Sequence, residues 1–330
     1  MTITEPNLII LSGGKTMGHI TPLIAIYESL KEKYDFLYIG LKNSMEEEVC
    51  KRKQIPFMGL ELYPFYRRKI YRNFKTLKHI MMEKKKIINN IKKDDIKAVF
   101  TSGGFVSIPV ILAFKNSRFK KYLLEANAVM GLANNYLKRY VDEVITQFPI
   151  KASFLNYGYP VYINKSTFDC HFFYQSKPLI LVLGGSNGAL ELVKYAYKLH
   201  IDFPQFNFLI LTGRYYLKLY EFNANALVYE KINDVAGIFK HCDLIISRAG
   251  GATIAEIIET NSKAILIPSR NVTNDHQYKN AHYLNEKQLL KMALSYEELV
   301  NLIPEVLNGK VPDYECFSNN AIDKIINVLK

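Results

Sequence analysis

Short runs of consecutive apolar residues alternate along this chain with longer stretches whose apolar positions recur every three to four residues. The short runs predict strands at Asn7–Ser12, Phe36–Gly40, Ala98–Ser102, Lys121–Leu124 and Glu143–Gln147. They continue at Leu179–Leu183, Phe206–Leu211, Ala226–Tyr229, Leu244–Ser247 and Ala264–Ile267. The longer stretches predict helices between them, among these Pro22–Lys33, Phe74–Lys92, Asn187–Leu199 and Thr253–Thr260. Strands that alternate with helices imply βαβ units and parallel sheets. Runs without polar alternation, such as Ala264-Ile265-Leu266-Ile267, suit sheets covered on both faces.

The pattern runs twice. Each half opens on a strand that leads directly into a glycine-rich turn and a helix. The first turn is Ser12-Gly13-Gly14-Lys15-Thr16-Met17-Gly18-His19, and the second is Gly184-Gly185-Ser186-Asn187-Gly188-Ala189. The turn-rich Asn156–Pro160 lies between them and predicts two domains, 1–157 and 158–318. The last helix, 319–330, is expected to pack back on the first domain. A length of 330 residues also exceeds what one core usually serves. An apolar fraction of 49% excludes a mostly disordered chain. The four cysteines, Cys50, Cys170, Cys242 and Cys316, form no CxxC pair. That argues against a disulfide scaffold or a zinc site and fits a reducing compartment.

Charge changes the picture locally. The net charge is +12, and residues 51–93 hold 14 basic side chains against Glu61 and Glu83, so the rest of the chain is balanced. Such a segment suits an anionic partner, whether nucleic acid, a membrane surface or a phosphorylated ligand. A solvated lysine-rich helix face would give the same count. The first residues lack the basic and apolar regions of a signal peptide. The longest apolar stretch, Ala98–Phe114, is broken by Thr101, Ser102, Gly103, Gly104, Ser107 and Pro109. It therefore reads as strand, turn and helix rather than a membrane span, which needs about 20 apolar residues. Any membrane contact is expected from the side.

Glycine-rich turns between a strand and a helix let backbone N–H groups face an anion. In open parallel sheets, ligands bind at the carboxyl ends of strands, where such turns lie. Neither turn matches GxxxxGK[ST] or GxGxxG, and either alone also fits a tight structural turn. His19 follows the first turn. At the head of a helix the dipole favours a neutral imidazole, which suits a general base; a capping or packing histidine is the other reading. A third cluster, Ser247–Glu256, again joins strand, glycines and helix. There Thr253 suits a phosphate, and Glu256 suits the hydroxyls of a ribose or the simple stabilisation of a helix end. A fourth, Asn274–Asn280, crowds amide and imidazole groups that suit a polyhydroxylated ligand, or form an ordinary polar loop. His276 has no neighbouring His or Cys, so a metal site is not expected.

Six motifs now stand in order: Gly13–His19, Ser102–Pro109, Glu125–Asn134, Gly184–Ala189, Arg248-Ala249-Gly250 with Glu256, and Asp275-His276-Gln277 with Asn280. Together, from about Leu8 to Leu290, they resemble the MurG family of peptidoglycan N-acetylglucosaminyltransferases, within glycosyltransferase family 28. The resemblance implies an α/β protein of GT-B fold, two Rossmann-like doubly wound domains facing a cleft. It implies inverting transfer of N-acetylglucosamine from UDP-N-acetylglucosamine to undecaprenyl-pyrophosphoryl-N-acetylmuramoyl-pentapeptide (lipid I), giving lipid II. By that likeness Gly184, Gly185, Ser186, Asn187, Gly188 and Thr253, flanked by Arg248 and Gly250, belong at the donor diphosphate. Glu256 belongs at the ribose, and His276, Gln277 and Asn280 at the sugar. The acceptor would meet Gly14, Lys15, Thr16 and Gly18; Gly103, Gly104, Phe105 and Ser107; and Glu125, Asn127 and Asn134. His19 is the implied base. No cofactor or metal is implied, and no DxD-type pair stands near the donor motifs.

The chain departs from the family at Lys15 and Met17, where glycines are usual, at Leu124 in place of a histidine, and at Tyr162 in place of an arginine. Two alternatives remain: a related GT-B diacylglycerol glycosyltransferase, and a non-catalytic homologue that binds a nucleotide sugar or a membrane. The basic segment interleaves aromatics with charge at Tyr63, Phe65, Tyr66, Arg67, Arg68, Lys69, Arg72 and Lys75. That composition suits an anionic membrane interface and, less well here, nucleic acid; no nucleic-acid motif is present. The expectation is a peripheral protein on the cytoplasmic face of the cell membrane, with other cell-wall synthesis proteins as candidate partners.

Overall fold

The computed structural model describes residues 6–65, 71, 73–163, 177–185, 188–213, 215–232, 235–269, 275–317 and 320–329. The chain divides into two units: Met1–Ala126, Met130–Tyr162 and Asn320–Lys330 form the first, and Asn127–Val129 with Ile163–Asn319 form the second.

The first unit is built on six strands: β1 (Leu8–Ser12), β2 (Asp35–Leu41), β3 (Phe57–Leu60), β4 (Ile96–Thr101), β5 (Lys120–Glu125) and β6 (Glu143–Thr146). Their order is β3-β2-β1-β4-β5-β6, and every pair is parallel. This is the doubly wound order, with its reversal point between β1 and β4. The helices are α1 (Met17–Leu30), α2 (Met45–Arg52), α3 (Asn73–Asn90), α4 (Ser107–Phe114) and α5 (Leu132–Leu137).

The second unit repeats the plan with β7 (Leu179–Leu183), β8 (Asn207–Leu211), β9 (Ala226–Tyr229), β10 (Leu244–Ser247), β11 (Ala264–Leu266) and β12 (Lys291–Met292). The order β12-β11-β10-β7-β8-β9 is the same winding, reversing between β7 and β10. Around it run α6 (Leu190–Asp202), α7 (Ala236–Phe239), α8 (Gly251–Glu259), α9 (His276–Glu286) and α10 (Tyr296–Asn308). The last helix, α11 (Ala321–Leu329), belongs to the first unit, where Tyr122 Oη donates to the Val328 carbonyl at 3.1 Å.

The central strands are largely apolar because helices cover both faces. All five residues of β7 and all four of β10 are buried. In the first core Ile10, Ile39, Val99, Leu123 and Phe114 pack with Ile80 and Ile87 of α3. In the second, Ile180, Val182, Phe208, Ile210 and Ile246 pack with Leu199. Each fully buried aliphatic side chain contributes ~1.5–3 kcal/mol over its exposed state.

Three elements escape the hydrophobic pattern. Strand β3 is only half-buried and contains Gly59, β12 has two residues, and α2 is a charged helix that buries only Glu46, Val49 and Cys50. Its start is set by a cap instead: Ser44 Oγ accepts from the Glu47 N–H at 3.4 Å. Helix α1 also starts earlier than expected, at Met17, and runs through Pro22. Helix α3 divides the apolar stripe read in the sequence. Thr76, Ile80, Glu83 and Ile87 face inward, whereas Phe74, Leu77, Met81 and Ile88 lie exposed. Among the described residues no helix is long and apolar enough to cross a membrane.

Candidate active site

In each unit, glycine-rich turns leave the ends of the two strands that flank the reversal point. In the first unit β1 ends in Gly13–Thr16, and β4 ends in Ser102–Phe105. Lys15 has a left-handed backbone, φ 75°, which costs an L-residue about 1 kcal/mol. Glu46, fully buried, braces this turn from beneath: its Oε2 accepts the Lys15 N–H at 3.2 Å and its Oε1 the Leu41 N–H at 3.1 Å. A Cβ on Gly14 would overlap Glu46 Oε1, so the carboxylate requires glycine there. The Gly13 carbonyl is turned inward, onto the buried Tyr38 phenol at 2.8 Å. Lys15 Nζ lies 6.0 Å from the centre of the Phe105 ring.

His19 sits in the first turn of α1, half-buried. Its Nδ1 lies 2.9 Å from the Ser102 carbonyl, and Ser102 Oγ donates to the His19 carbonyl at 2.6 Å. A carbonyl only accepts, so Nδ1 carries a proton, and the neutral tautomer that this bond selects has its lone pair on Nε2. The position a Cβ would take on Gly104 is 4.0 Å from Nε2, so the ring faces the turn after β4. Gly103 and Gly104 both have positive φ.

Ser107, Asn134 and Glu125 lie beneath this surface. Ser107 is fully buried, and its Oγ reaches the Gly103 carbonyl at 2.8 Å and the Ser12 carbonyl at 3.2 Å while accepting from Thr101 Oγ1. Asn134 Nδ2 donates to Glu125 Oε2 at 2.8 Å and to the Leu124 carbonyl at 3.2 Å, and the Gly131 N–H joins Glu125 Oε2 at 3.1 Å. These three residues shape the turn after β4 from behind. Thr16 is exposed and does not cap α1 with its side chain; Gly18 is half-buried.

In the second unit β7 leads into Gly184 and Gly185, and β10 leads into Arg248, Ala249 and Gly250. Gly188 has φ 74° and would overlap the Thr212 carbonyl with any Cβ; its N–H closes the turn on the Gly185 carbonyl at 3.0 Å. Ser186 and Asn187 lie outside the described residues. Gly250 is the N-cap of α8, whose Thr253 and Glu256 are half-buried. Arg248 is held by Glu191 Oε2 at 2.7 Å and by the Ile267 carbonyl at 3.1 Å. His276 and Gln277 begin α9, and Gln277 Oε1 accepts the Ser269 N–H at 2.8 Å.

Asn280 is fully buried. Its Oδ1 accepts the Ala128 N–H at 2.8 Å, and its Nδ2 donates to Asn127 Oδ1 and to the Ala249 carbonyl, both at 3.0 Å. Its amide is thus engaged by protein partners and fixes the segment before Gly250. Among the described residues no group of three or more His, Cys, Asp or Glu could hold a metal ion.

Tyr38, Glu46 and Tyr159 were not anticipated from the sequence. Each acts on the first turn from a distant part of the chain, and nothing in the local pattern around it differs from ordinary core or turn sequence. Of the basic patch, Tyr63, Phe65 and Lys75 are described, with Lys75 Nζ 4.1 Å from the centre of the Tyr63 ring. Tyr66, Arg67, Arg68, Lys69 and Arg72 lie outside the described residues.

Two doubly wound sheets, each with glycine-rich turns at its reversal point, define an α/β protein of two Rossmann-like units. Solved structures share this fold: Acinetobacter baumannii MurG matches with a TM-score of 0.76 at 21% identity, over 98% of this chain and 99% of that one. The glycosyltransferase of kitacinnamycin matches with a TM-score of 0.72 at 12% identity, over 99% and 95%. The glycosyltransferase family 28 N-terminal domain matches residues 9–146, and the family 28 C-terminal domain matches residues 179–321. Two relatives are named UDP-N-acetylglucosamine–N-acetylmuramyl-(pentapeptide) pyrophosphoryl-undecaprenol N-acetylglucosamine transferase. The one from Oenococcus oeni is 33% identical, and the one from Alkaliphilus oremlandii is 30% identical; each alignment covers 92% of this chain and 89% of the relative. The chain belongs to glycosyltransferase family 28.

Proposed function

We propose that this enzyme transfers N-acetylglucosamine from UDP-N-acetylglucosamine to the 4-hydroxyl of the N-acetylmuramoyl sugar of lipid I, with inversion at the anomeric carbon. The observation that carries this reading is the His19 imidazole, with Nδ1 fixed by the Ser102 carbonyl at the head of α1. The names of the two relatives support the same donor and acceptor.

The hydroxyl is a weak nucleophile until its proton leaves. His19 Nε2 takes that proton as O4 forms its bond to C1 of the donor sugar, and the bond from C1 to the diphosphate oxygen breaks with its electron pair leaving on UDP. A single displacement requires O4 and the leaving oxygen in line, so both substrates must be held at once. Charge growing on the diphosphate is stabilised by the N–H groups around Gly184–Gly188 and at the start of α8. Glu256 accepts hydrogen bonds from the ribose, and His276 with Gln277 meets the sugar. The turns at Gly13–Gly18 and Gly103–Phe105 receive the acceptor pyrophosphate, with Lys15 adding a cation. In this reading no metal is required, and activity persists in EDTA.

The outer face of α3 supports a place on the membrane surface. Phe74, Leu77 and Met81 are exposed beside Lys75, Lys78 and Lys85. Apolar side chains ringed by lysines enter an anionic interface, at about 1 kcal/mol per basic residue. The test of function is transfer of labelled N-acetylglucosamine to purified lipid I, with diacylglycerol as the competing acceptor. Transfer to diacylglycerol alone would overturn the assignment.

A further inference from the structure

Helix α1 carries His19 in its first turn and runs through Pro22. Proline has no N–H, so the carbonyl four residues earlier, that of Gly18, loses its helical donor. That carbonyl belongs to the peptide group joining Gly18 to His19. Tyr159 Oη donates to it at 3.2 Å. The other end of the same peptide is also held, because the His19 N–H donates to the Thr16 carbonyl at 3.0 Å. A peptide group is rigid and planar, so fixing both ends fixes the plane from which the His19 side chain departs.

We propose that Tyr159 is a positioning residue for His19, supplying the hydrogen bond that Pro22 withholds; this rests on the glycosyl-transfer reading above. Several observations bear on it. Tyr159 is 5% exposed, so water does not compete for the bond. Burial, with a smaller contribution from Glu125, pushes its phenol well above the ordinary value, which keeps it a donor. Gly158, with φ 88°, turns the chain to deliver it, and the Gly158 N–H is tied to the Thr146 carbonyl at 3.2 Å. A second buried phenol, Tyr38, holds the Gly13 carbonyl at the opposite end of the same turn. The turn and the histidine that follows it are thus pinned from two directions.

The test is Tyr159→Phe, which keeps the ring and removes only the donor. Turnover on lipid I should fall about tenfold, while the KM for UDP-N-acetylglucosamine stays unchanged. In a His19→Ala background the same substitution should cause no further loss, because it acts through His19. Pro22→Ala restores an N–H to the helix, so it should rescue the Tyr159→Phe enzyme. Unchanged turnover, an equal fold-loss in both backgrounds, or no rescue would each overturn the proposal. A substrate-free readout separates this proposal from the functional assignment. In 15N-histidine NMR spectra the His19 signals, identified by their loss in His19→Ala, should move or broaden in Tyr159→Phe. An unmoved His19 ring would count against Tyr159 whatever the acceptor. A wild-type enzyme inert toward lipid I would count against the assignment alone and leave the spectra to decide on Tyr159.

Discussion

Ser102 and His19 are joined twice, by hydrogen bonds that run in opposite directions between the end of β4 and the head of α1. Ser102 Oγ donates to the His19 carbonyl at 2.6 Å, and the His19 Nδ1–H donates to the Ser102 carbonyl at 2.9 Å. One bond fixes the backbone, and the other fixes the ring and its tautomer. Because the acceptor for Nδ1 is a backbone carbonyl, no side-chain substitution at 102 removes it.

His19→Ala should therefore lower turnover by roughly 10²–10⁴, the usual worth of a positioned acid–base group, with donor affinity kept. Ser102→Ala should cost only several-fold, since the ring keeps its carbonyl partner and only the backbone tie is lost. Steady-state kinetics with calorimetric UDP binding decides this; near-normal turnover of the His19 variant would remove it as the base.

Glu46→Ala strips two backbone N–H groups, those of Lys15 and Leu41, of their buried acceptor. Unpaired buried donors cost about 1–3 kcal/mol each, and these two are partly buried, so a loss of about 2 kcal/mol, the low end for two such groups, is expected in chemical unfolding, along with weaker acceptor binding. Glu46→Gln keeps a carbonyl oxygen and should be milder. Equal stability of Glu46→Ala and wild type would show that the turn holds its shape unaided.

Glu256→Ala should weaken UDP binding by about tenfold or more, the usual worth of hydrogen bonds accepted by a carboxylate. Titration calorimetry with UDP and with UDP-N-acetylglucosamine reads it. An unchanged affinity would take Glu256 away from the ribose.

Replacing Phe74, Leu77 and Met81 with serine should release the protein from anionic vesicles and leave its melting temperature nearly unchanged, because all three are more than half exposed. Lys75→Gln with Lys78→Gln should make the remaining binding less sensitive to salt. Binding that ignores both changes would assign membrane contact to another surface.

Burial, and then the carboxylates of Glu46 and Glu47, push the Cys50 thiol up to about 12. The sign follows from linkage: the unfolded chain loses this proton first, so stability is full below the ordinary thiol range and declines as pH rises toward 12. At pH 8 Cys50 should resist alkylation in the native protein and react once it is unfolded, whereas the half-exposed Cys242 should react in both states. Rapid native labelling of Cys50 would contradict this.

The doubly wound plan was legible because parallel strands covered on both faces are near-continuously apolar, as Leu179–Leu183 and Leu244-Ile245-Ile246 are. Strand β3 and helix α2 were not legible. An edge strand needs only a half-buried face, and α2 is held by the Ser44 cap and the single buried carboxylate of Glu46 rather than by an apolar stripe. The stripe on α3 was legible as a helix but not as two faces, since Ile80 and Phe74 look alike until the core chooses between them.

The candidate site divides the same way. His19 follows the glycines of the first turn, and Glu256 follows Gly250 and Gly251, each within a few residues, so the order of the chain alone sets each beside its own glycine turn. Asn280 read as a sugar ligand beside Gln277, yet three hydrogen bonds engage it inside the protein. The sequence by itself determined two parallel α/β units with glycine-rich turns at matching places, because periodicity and turn chemistry act over short distances. Only the tertiary structure decided which buried groups hold those turns. Glu46 under Gly14, Tyr38 on Gly13 and Tyr159 on Gly18 meet their partners across 32, 25 and 141 residues. Contacts of that span depend on how the strands are ordered in the sheet, and no local pattern records them.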